Sequence, residues 1–301
     1  MFNDLRDTVV TGDNVIIALG DSFTQGIGAY SIESWKKSLE IGKGNVFNLS
    51  GKYFREEQHK NNWATQLRDN HLPDYKVWNL GINGTGNRGT IKEMYLNPLP
   101  TKLGNVIVIL MATGLERFDF LKKNRVTCGL YNHSKWQTIW PVKSERGLVS
   151  EMEKVYLTEL YSPRVIATEF LLNVAEAQYF CKANNYKFMF ASAFDSTIYK
   201  RSLIDDLDDD PDYINIIDWD NLITPGITKT YKSFKTYMDL LCFHENDTRF
   251  RTFLELQNNN IVENMQLPLK YITPCGHWTI EGQAFVASNL ADEIKTRNLA
   301  T

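Results

Sequence analysis

One serine in this sequence stands where α/β proteins commonly place a reactive group. Residues 15–19 form an unbroken apolar run, which predicts a strand buried on both faces. The run stops at Gly20-Asp21-Ser22, and further glycines follow. A strand that ends in such a small-residue turn presents its side chains at the edge of the sheet. Ser22 is therefore a candidate nucleophile for acyl transfer, whereas the simpler interpretation is a turn followed by a helix N-cap.

The stretch Gly-Asp-Ser-Phe-Thr-Gln-Gly at residues 20–26 resembles the first sequence block of the SGNH hydrolases, also called GDSL-type esterases. The resemblance implies a three-layer α/β/α sandwich with a flavodoxin-like parallel sheet of about five strands. It also implies that Ser22 is the nucleophile and that the Ser22 N–H, a glycine N–H and an asparagine side chain form the oxyanion hole. A histidine near the C-terminus is then the base, normally with an aspartate shortly before it. No metal and no organic cofactor is implied.

A second glycine-rich turn follows the next predicted strand. Residues 76–80 run into a cluster of glycine and asparagine at residues 81–87. Such a cluster allows backbone N–H groups to approach a ligand closely. By the resemblance, Gly84 is the best match to the oxyanion-hole glycine, and Asn83 and Asn87 are nearby amide donors. The alternative is a tight turn that only needs a positive φ.

The third block departs from the family pattern. Residues 105–111 predict a central strand, and Gly114 fits the family's Gly-x-Asn-Asp, but Glu116 stands where the asparagine is expected. An ionised carboxylate accepts hydrogen bonds, cannot donate to an oxyanion and repels its charge. Either Glu116 is protonated or turned away, or the third donor is Asn87 or Arg117. The alternative for Glu116 and Arg117 is an ion pair in a loop.

His277 is the best candidate for the base among the five histidines of the sequence. It lies in a short loop just before a predicted last helix at residues 280–294, as the family's last block requires. A neutral imidazole can take the Ser22 proton during attack on an acyl carbon and return it to the leaving alcohol. Pro274 and Cys275 occupy the positions where the orienting aspartate is expected.

The missing aspartate leaves three interpretations open. A backbone carbonyl holds the His277 N–H, which gives a Ser-His dyad. Another carboxylate folds in from elsewhere, the candidates being Asp195, Asp218, Asp220 and Glu281. In the third interpretation activity is lost, because removal of the acid from such a triad lowers kcat by roughly 10⁴ in a reference enzyme.

The remaining elements predict a parallel sheet with crossover helices. A helical pattern at residues 163–185 leads into a strand at residues 186–191, which favours a right-handed crossover. A fifth strand is predicted at residues 213–217. The aspartate-rich residues 202–212 are interpreted as a solvated loop, since their spacing is not that of a calcium-binding loop. Residues 41–60 form either a lid or a surface loop.

Composition places the chain among globular proteins. Its 301 residues are 43% hydrophobic and 23% charged, so we expect one domain over residues 1–301, with insertions at 31–60, 120–160 and 200–265. A net charge of −3 without a polybasic run argues against a nucleic-acid partner. The sequence shows no secretory signal, no bilayer-length apolar stretch and four scattered cysteines. We therefore expect a cytoplasmic protein without a membrane partner, which is compatible with a particle assembled there and released later.

These observations lead to two functional hypotheses. The first is a serine esterase that hydrolyses small acyl esters, with the O-acetyl groups of an acylated glycan as one substrate class. The second is a catalytically weakened or inactive protein on the same scaffold that binds a carbohydrate or a partner. The second hypothesis draws on Glu116 and on the missing aspartate. Acyl transfer to a sugar is a variant of the first and uses the same serine and histidine.

Overall fold

The structure is a computed structural model. It describes residues 6–41, 54–97, 99–121, 136–139, 154–195, 198–207, 211–225, 236–245, 268, 270–273 and 276–300.

A five-stranded parallel sheet forms the centre of the described chain. In chain order the strands are β1 (Asn14–Gly20), β2 (Tyr75–Asn79), β3 (Val106–Ala112), β4 (Phe118–Leu121), β5 (Trp136–Ile139), β6 (Lys187–Ser192) and β7 (Leu222–Ile223). The main sheet has the order β2-β1-β3-β6-β7, and β4 pairs antiparallel with β5 in a separate ribbon. The first strand therefore lies between the second and third, as in flavodoxin-like sheets. The predicted fold class is confirmed.

Ten α-helices lie in the described part of the chain. They are α1 (Ser22–Gln25), α2 (Ile32–Ile41), α3 (Arg55–Asn61), α4 (Trp63–His71), α5 (Asn87–Leu96), α6 (Pro163–Ala183), α7 (Lys200–Asp206), α8 (Pro211–Ile214), α9 (Tyr237–Glu245) and α10 (Ile280–Thr296). A short π-helical turn spans Tyr156–Leu160, and a 3₁₀ turn spans Trp219–Asn221. None of the described helices is long and apolar enough to cross a membrane.

The alternation of side chains along each strand divides the core into two layers. On β1, Ile16 and Ala18 pack with α4, α9 and α10, whereas Val15, Ile17 and Leu19 pack with α5 to α8. Every residue of β3 is buried, which is why its sequence is continuously apolar rather than alternating. Helices on both faces hold the sheet edge in place, and the loops at its carboxyl end are left to form a site.

The fifth strand differs from its prediction. Residues 211–214 are helical, and Leu222–Ile223 supplies the fifth strand by pairing with β6. Ile214 and Ile217, three residues apart, are both buried, and this spacing suits one face of a helical turn. Pro211 at the start of the helix adds a fixed φ that favours that position. The apolar residues here therefore follow helical spacing.

The acidic segment also differs from its prediction as a loop. Asp205 and Asp206 lie in α7, while residues 208–210 are outside the described residues. Of the predicted lid or loop at residues 41–60, the described part contains α3, and residues 42–53 are outside it. The insertions and the single domain over residues 1–301 stay predictions.

The central position of β3 leads to a stability test. Ile109 is fully buried and pairs with β1 on one side and β6 on the other. Ile109→Ala is expected to lower the free energy of unfolding by about 2–5 kcal/mol, because it leaves a cavity under the helices of that face while both neighbouring strands hold the backbone of β3 in place. Urea denaturation measures the loss. Leu96→Ala, at a position 43% exposed on α5, should change it by about 0.5 kcal/mol or less; equal effects would contradict the assigned core.

Candidate active site

The structure brings Ser22 and His277 together although 255 residues separate them in the chain. His277 Nε2 lies 2.8 Å from Ser22 Oγ, a hydrogen-bond distance. Ser22 begins α1 directly after β1, and His277 lies three residues before α10. Both predicted residues therefore meet at the carboxyl edge of the sheet. For a serine to donate to this imidazole, the ring proton has to lie on Nδ1.

The turn that carries Ser22 is tightly packed. A Cβ added to Gly20 would lie 2.1 Å from Thr24 Oγ1 and 2.9 Å from the Met111 carbonyl, so only glycine fits there. Asp21 is the N-cap of α1, where its Oδ1 accepts a hydrogen bond from Phe23 N at 3.1 Å. The Ser22 N–H at the start of α1 has no acceptor within the helix. This N–H is thus in a suitable position to donate to a substrate oxygen.

Asp21 is fully buried, and its charge is compensated by a residue that follows β3. Its Oδ2 accepts hydrogen bonds from Arg117 Nη1 at 2.6 Å and from Thr113 Oγ1 at 2.7 Å. A buried carboxylate is expensive unless it is paired and hydrogen-bonded. The sequence had suggested Arg117 as an oxyanion donor or as the ion-pair partner of Glu116. The structure places its Nη1 on the aspartate beside the nucleophile, and the two suggested roles stay predictions.

A small hairpin presents His277. Ile272 and Trp278 form an antiparallel bridge. Within the hairpin, Thr273 N donates to the His277 carbonyl at 2.8 Å, and His277 N donates to Thr273 Oγ1 at 3.1 Å. Thr279 then caps α10 by accepting from Gly282 N at 3.1 Å. The backbone of the histidine is therefore fixed on both sides, while residues 274 and 275 lie outside the described residues.

The ring of Phe23 and one glycine lie against His277. The Phe23 ring centroid lies 5.1 Å from that of His277, 4.7 Å from Trp278 and 5.4 Å from Phe194. On another side, a Cβ added to Gly28 would lie only 2.8 Å from His277 Cβ. These contacts restrict the ring to the neighbourhood of Ser22.

The loop after β2 lies against the Ser22 turn. Ile82 N donates to the Gly20 carbonyl at 3.0 Å, and Asn83 N donates to Gln25 Oε1 at 2.8 Å. Thr85 N donates to the Ile82 carbonyl at 3.2 Å, and Gly84 has a φ of 78°, as the third residue of a type II turn requires. The tight turn with a positive φ, which was the simpler interpretation of Gly84, is therefore present. The same turn is also held beside the candidate nucleophile.

Asn87 connects two elements of the site. It is the first residue of α5, and its side chain is buried. Its Nδ2 donates to the Thr113 carbonyl at 3.1 Å, and its Oδ1 accepts from Thr113 N at 2.9 Å. These two bonds fasten α5 to the end of β3. A role of Asn87 as an oxyanion donor stays a prediction and would use its second amide hydrogen.

Glu116 folds back over the turn that precedes it. Both carboxylate oxygens lie 2.5 Å from the position of a Cβ added to Gly114. Burial raises the pKa of Glu116, and the nearby Asp195 raises it further, while its own N–H and Arg117 act in the opposite direction. The folded protein thus disfavours the ionised form of Glu116 relative to water, and a protonated Glu116 in the site stays a prediction.

The four candidates for the third acid lie in different parts of the structure. Asp195 follows β6 and accepts from Leu115 N at 3.0 Å. Asp218 and Asp220 are exposed at the 3₁₀ turn before the edge strand, where Asp218 Oδ1 accepts from Asp220 N at 3.1 Å. Glu281 is exposed in the first turn of α10. Asp195 and Asp218 thus each accept a hydrogen bond from a backbone N–H group, and a carboxylate partner for His277 stays a prediction.

Two buried polar residues support the site without having been identified in the sequence. Asp119 accepts from Gly86 N at 2.9 Å, Gly89 N at 2.7 Å and Thr138 Oγ1 at 2.6 Å, which anchors the start of α5. Gln283 accepts from Trp63 N at 2.8 Å and donates to the Phe23 carbonyl at 3.1 Å. The only sequence signal was a polar residue within an apolar stretch.

A small cavity lies next to the site, between α5, α6 and β4. Its volume is about 20 Å³, which is room for one water molecule rather than for a substrate. Its lining includes Asn87, Arg117, Asp119 and Asn173. Within the described residues, no group of three His, Cys, Asp or Glu side chains could hold a metal ion.

No known protein-family model matches this sequence, and no curated protein matches it. The function is therefore inferred from the geometry around Ser22 and His277.

The contact between Gly28 and His277 can be tested with a matched glycine. Gly28 has a φ of 92° and touches His277, whereas Gly12 has a φ of 93° with nothing within 4 Å of an added Cβ. Alanine strains the backbone equally at both positions. Only Gly28→Ala is expected to lengthen the distance from Ser22 Oγ to His277 Nε2 beyond 3.5 Å. Crystal structures of both variants measure it, and an unchanged distance in Gly28→Ala would contradict the packing described.

The raised pKa of Glu116 gives a pH-dependent stability test. The folded state disfavours the carboxylate, so the free energy of unfolding falls as the pH rises from the ordinary value of 4.5 through the raised value. Glu116→Gln removes this cost. The variant should be more stable than the parent at pH 8, and the advantage should shrink below pH 4.5.

Thermal unfolding at both pH values measures this difference. Glu159→Gln, at an exposed position, serves as the control and should show no such trend. An advantage of Glu116→Gln that is equal at both pH values would contradict the account.

Proposed function

We propose that this protein is a serine hydrolase that cleaves small acyl esters, with Ser22 as nucleophile and His277 as general base. The observation that carries the proposal is the 2.8 Å contact between Ser22 Oγ and His277 Nε2 at the carboxyl edge of a parallel sheet. Nucleophile and base within hydrogen-bond reach is the usual geometry of covalent acyl transfer. The resemblance of residues 20–26 to the first SGNH block supports the same assignment.

The proposed reaction has two steps. In the first, His277 Nε2 takes the Ser22 proton while Oγ attacks the carbonyl carbon, and the imidazolium then gives the proton to the leaving alcohol. In the second, His277 takes a proton from water, the hydroxide adds to the acyl carbon, and Ser22 leaves with the proton. No metal or organic cofactor enters either step. The contact of His277 with the Phe23 ring helps to keep the imidazole in position for both proton transfers.

The negative charge on the carbonyl oxygen needs hydrogen-bond donors. The Ser22 N–H is one donor in the proposal, and the Gly84 N–H is the second, by the resemblance and because its turn lies against the Ser22 turn. The third position of the family is taken by Glu116. Burial raises the pKa of Glu116. In the proposal its protonated form is the third donor, because a neutral acid can donate a hydrogen bond and a carboxylate cannot.

A second function is favoured by two departures of the sequence from the family pattern. Glu116 occupies the position of an amide donor, and Pro274-Cys275 replace the expected aspartate. An ionised Glu116 would repel the negative charge on the substrate oxygen. The protein would then bind a carbohydrate or a partner without turnover. The two functions differ in one measurable property: the esterase hydrolyses an ester in a reaction that depends on Ser22, and the binding protein does not.

Hydrolysis of p-nitrophenyl acetate by purified protein tests the proposal. Ser22→Ala and His277→Ala are each expected to lower kcat by at least about 10³-fold, because each removes a member of one catalytic unit. Circular dichroism establishes that the variants are folded. O-acetylated oligosaccharides and free sugars as acceptors then distinguish hydrolysis from acyl transfer.

Two residues of the same types serve as controls. Ser202→Ala on α7 and His71→Ala at the end of α4 should leave turnover unchanged. Turnover that persists in Ser22→Ala, or its absence from the parent protein, would overturn the esterase and leave the binding function.

A further inference from the structure

Arg117 makes side-chain hydrogen bonds to two loops other than its own. Its Nη1 donates to Asp21 Oδ2 at 2.6 Å and to the Thr85 carbonyl at 3.3 Å. Asp21 follows β1, Thr85 lies in the loop after β2, and Arg117 follows β3. One guanidinium therefore ties together the loops at the carboxyl ends of three adjacent strands.

The two residues that Arg117 contacts are neighbours in sequence of the proposed nucleophile and of the proposed oxyanion-hole glycine. Asp21 directly precedes Ser22, and Thr85 directly follows Gly84. The Ser22 N–H belongs to the peptide unit that begins at Asp21, so holding the Asp21 side chain limits how far that N–H can move. The Thr85 carbonyl lies two peptide units after the Gly84 N–H, so the bond to it limits the movement of the Gly84 turn. Arg117 thus adds a side-chain connection between the Ser22 turn and the Gly84 turn, beside the bonds from Ile82 N to the Gly20 carbonyl and from Asn83 N to Gln25 Oε1.

We infer that Arg117 is a positioning residue for the Ser22 reaction, an inference that rests on the proposed hydrolase function. Its guanidinium fixes the Ser22 turn relative to the Gly84 turn and compensates the charge of Asp21 next to the reacting oxygen. Both effects act most strongly in the transition state, when negative charge develops on the substrate. Arg117 therefore raises kcat and has little influence on substrate binding.

The burial of the pair explains why arginine is needed. Asp21 is fully buried, and the Arg117 side chain is 9% exposed. A lysine would supply a positive charge, but its ammonium is a compact point charge rather than a planar fork that fits several acceptors. Arg117→Lys is therefore expected to keep the charge compensation and to lose part of the geometry.

Variants that remove the charges singly and together separate positioning from folding. Arg117→Met and Asp21→Asn each leave one buried charge uncompensated, so both should lower Tm and kcat. The double variant contains neither charge, and its Tm should return close to that of the parent. Its kcat on p-nitrophenyl acetate should stay about tenfold or more below the parent, with KM within about twofold. Recovery of kcat together with Tm would overturn the inference.

A second ion pair of this chain is a matched control. Arg68 Nη1 and Asp7 Oδ2 also lie 2.6 Å apart, with side chains 21% exposed, and Asp7 also accepts from Val77 N. This pair joins α4 to the chain beside β2, and its hydrogen bonds do not involve the Ser22 turn. The double variant Arg68→Met/Asp7→Asn should keep the parent kcat. An equal fall in kcat there would mean that activity merely follows the loss of an ion pair, and would overturn the inference.

An NMR titration of the His277 imidazole tests positioning without turnover. Ser22 Oγ contacts the ring, so a displaced Ser22 turn should move the titration curve toward that of Ser22→Ala, both in Arg117→Lys and in the double variant. A curve identical to the parent's in both would overturn the role of Arg117. If the parent shows no Ser22-dependent turnover, the proposed function fails, while the titration still decides whether Arg117 positions Ser22.

Discussion

The candidate site depends on the parallel direction of neighbouring strands. Because β1, β2, β3 and β6 run the same way, their carboxyl ends lie at one edge, and the loops that follow them meet there. These loops carry small and polar residues, while the two central strands β1 and β3 are apolar and buried on both faces. An antiparallel strand in place of β1 would carry Ser22 to the opposite edge, away from His277.

His277, the second residue of the candidate pair, is held at this edge by the last helix rather than by a strand. Helix α10 packs against α4, and Gln283 joins the two helices to the Phe23 carbonyl. The hairpin before α10 therefore has little freedom, and His277 is carried to Ser22 as part of the core. The buried carboxylate of Asp21 is tolerated because it accepts hydrogen bonds from Arg117 and Thr113.

Much of this arrangement could be predicted from local sequence. The local sequence predicted the first four strands of the main sheet to within about one residue, and the small-residue turns placed Ser22 and Gly84 after strand ends. The fifth strand was wrong because the buried Ile214 and Ile217 follow helical spacing, and two residues suffice for the edge strand. The bond from Arg117 to Asp21 could not be predicted, since spacing along the chain does not say which buried carboxylate an arginine reaches. The hydrogen-bond partners of Asp119 and Gln283 could not be predicted for the same reason.

The central claim is that His277 makes Ser22 Oγ nucleophilic, and covalent labelling of the serine measures this most directly. Incubation with a fluorophosphonate followed by peptide mass spectrometry identifies the modified residue and its rate of modification. The account expects one adduct, on Ser22, that forms rapidly in the parent protein and at least about 10²-fold more slowly in His277→Ala. An unlabelled Ser22, or labelling at the same rate without the imidazole, would contradict it.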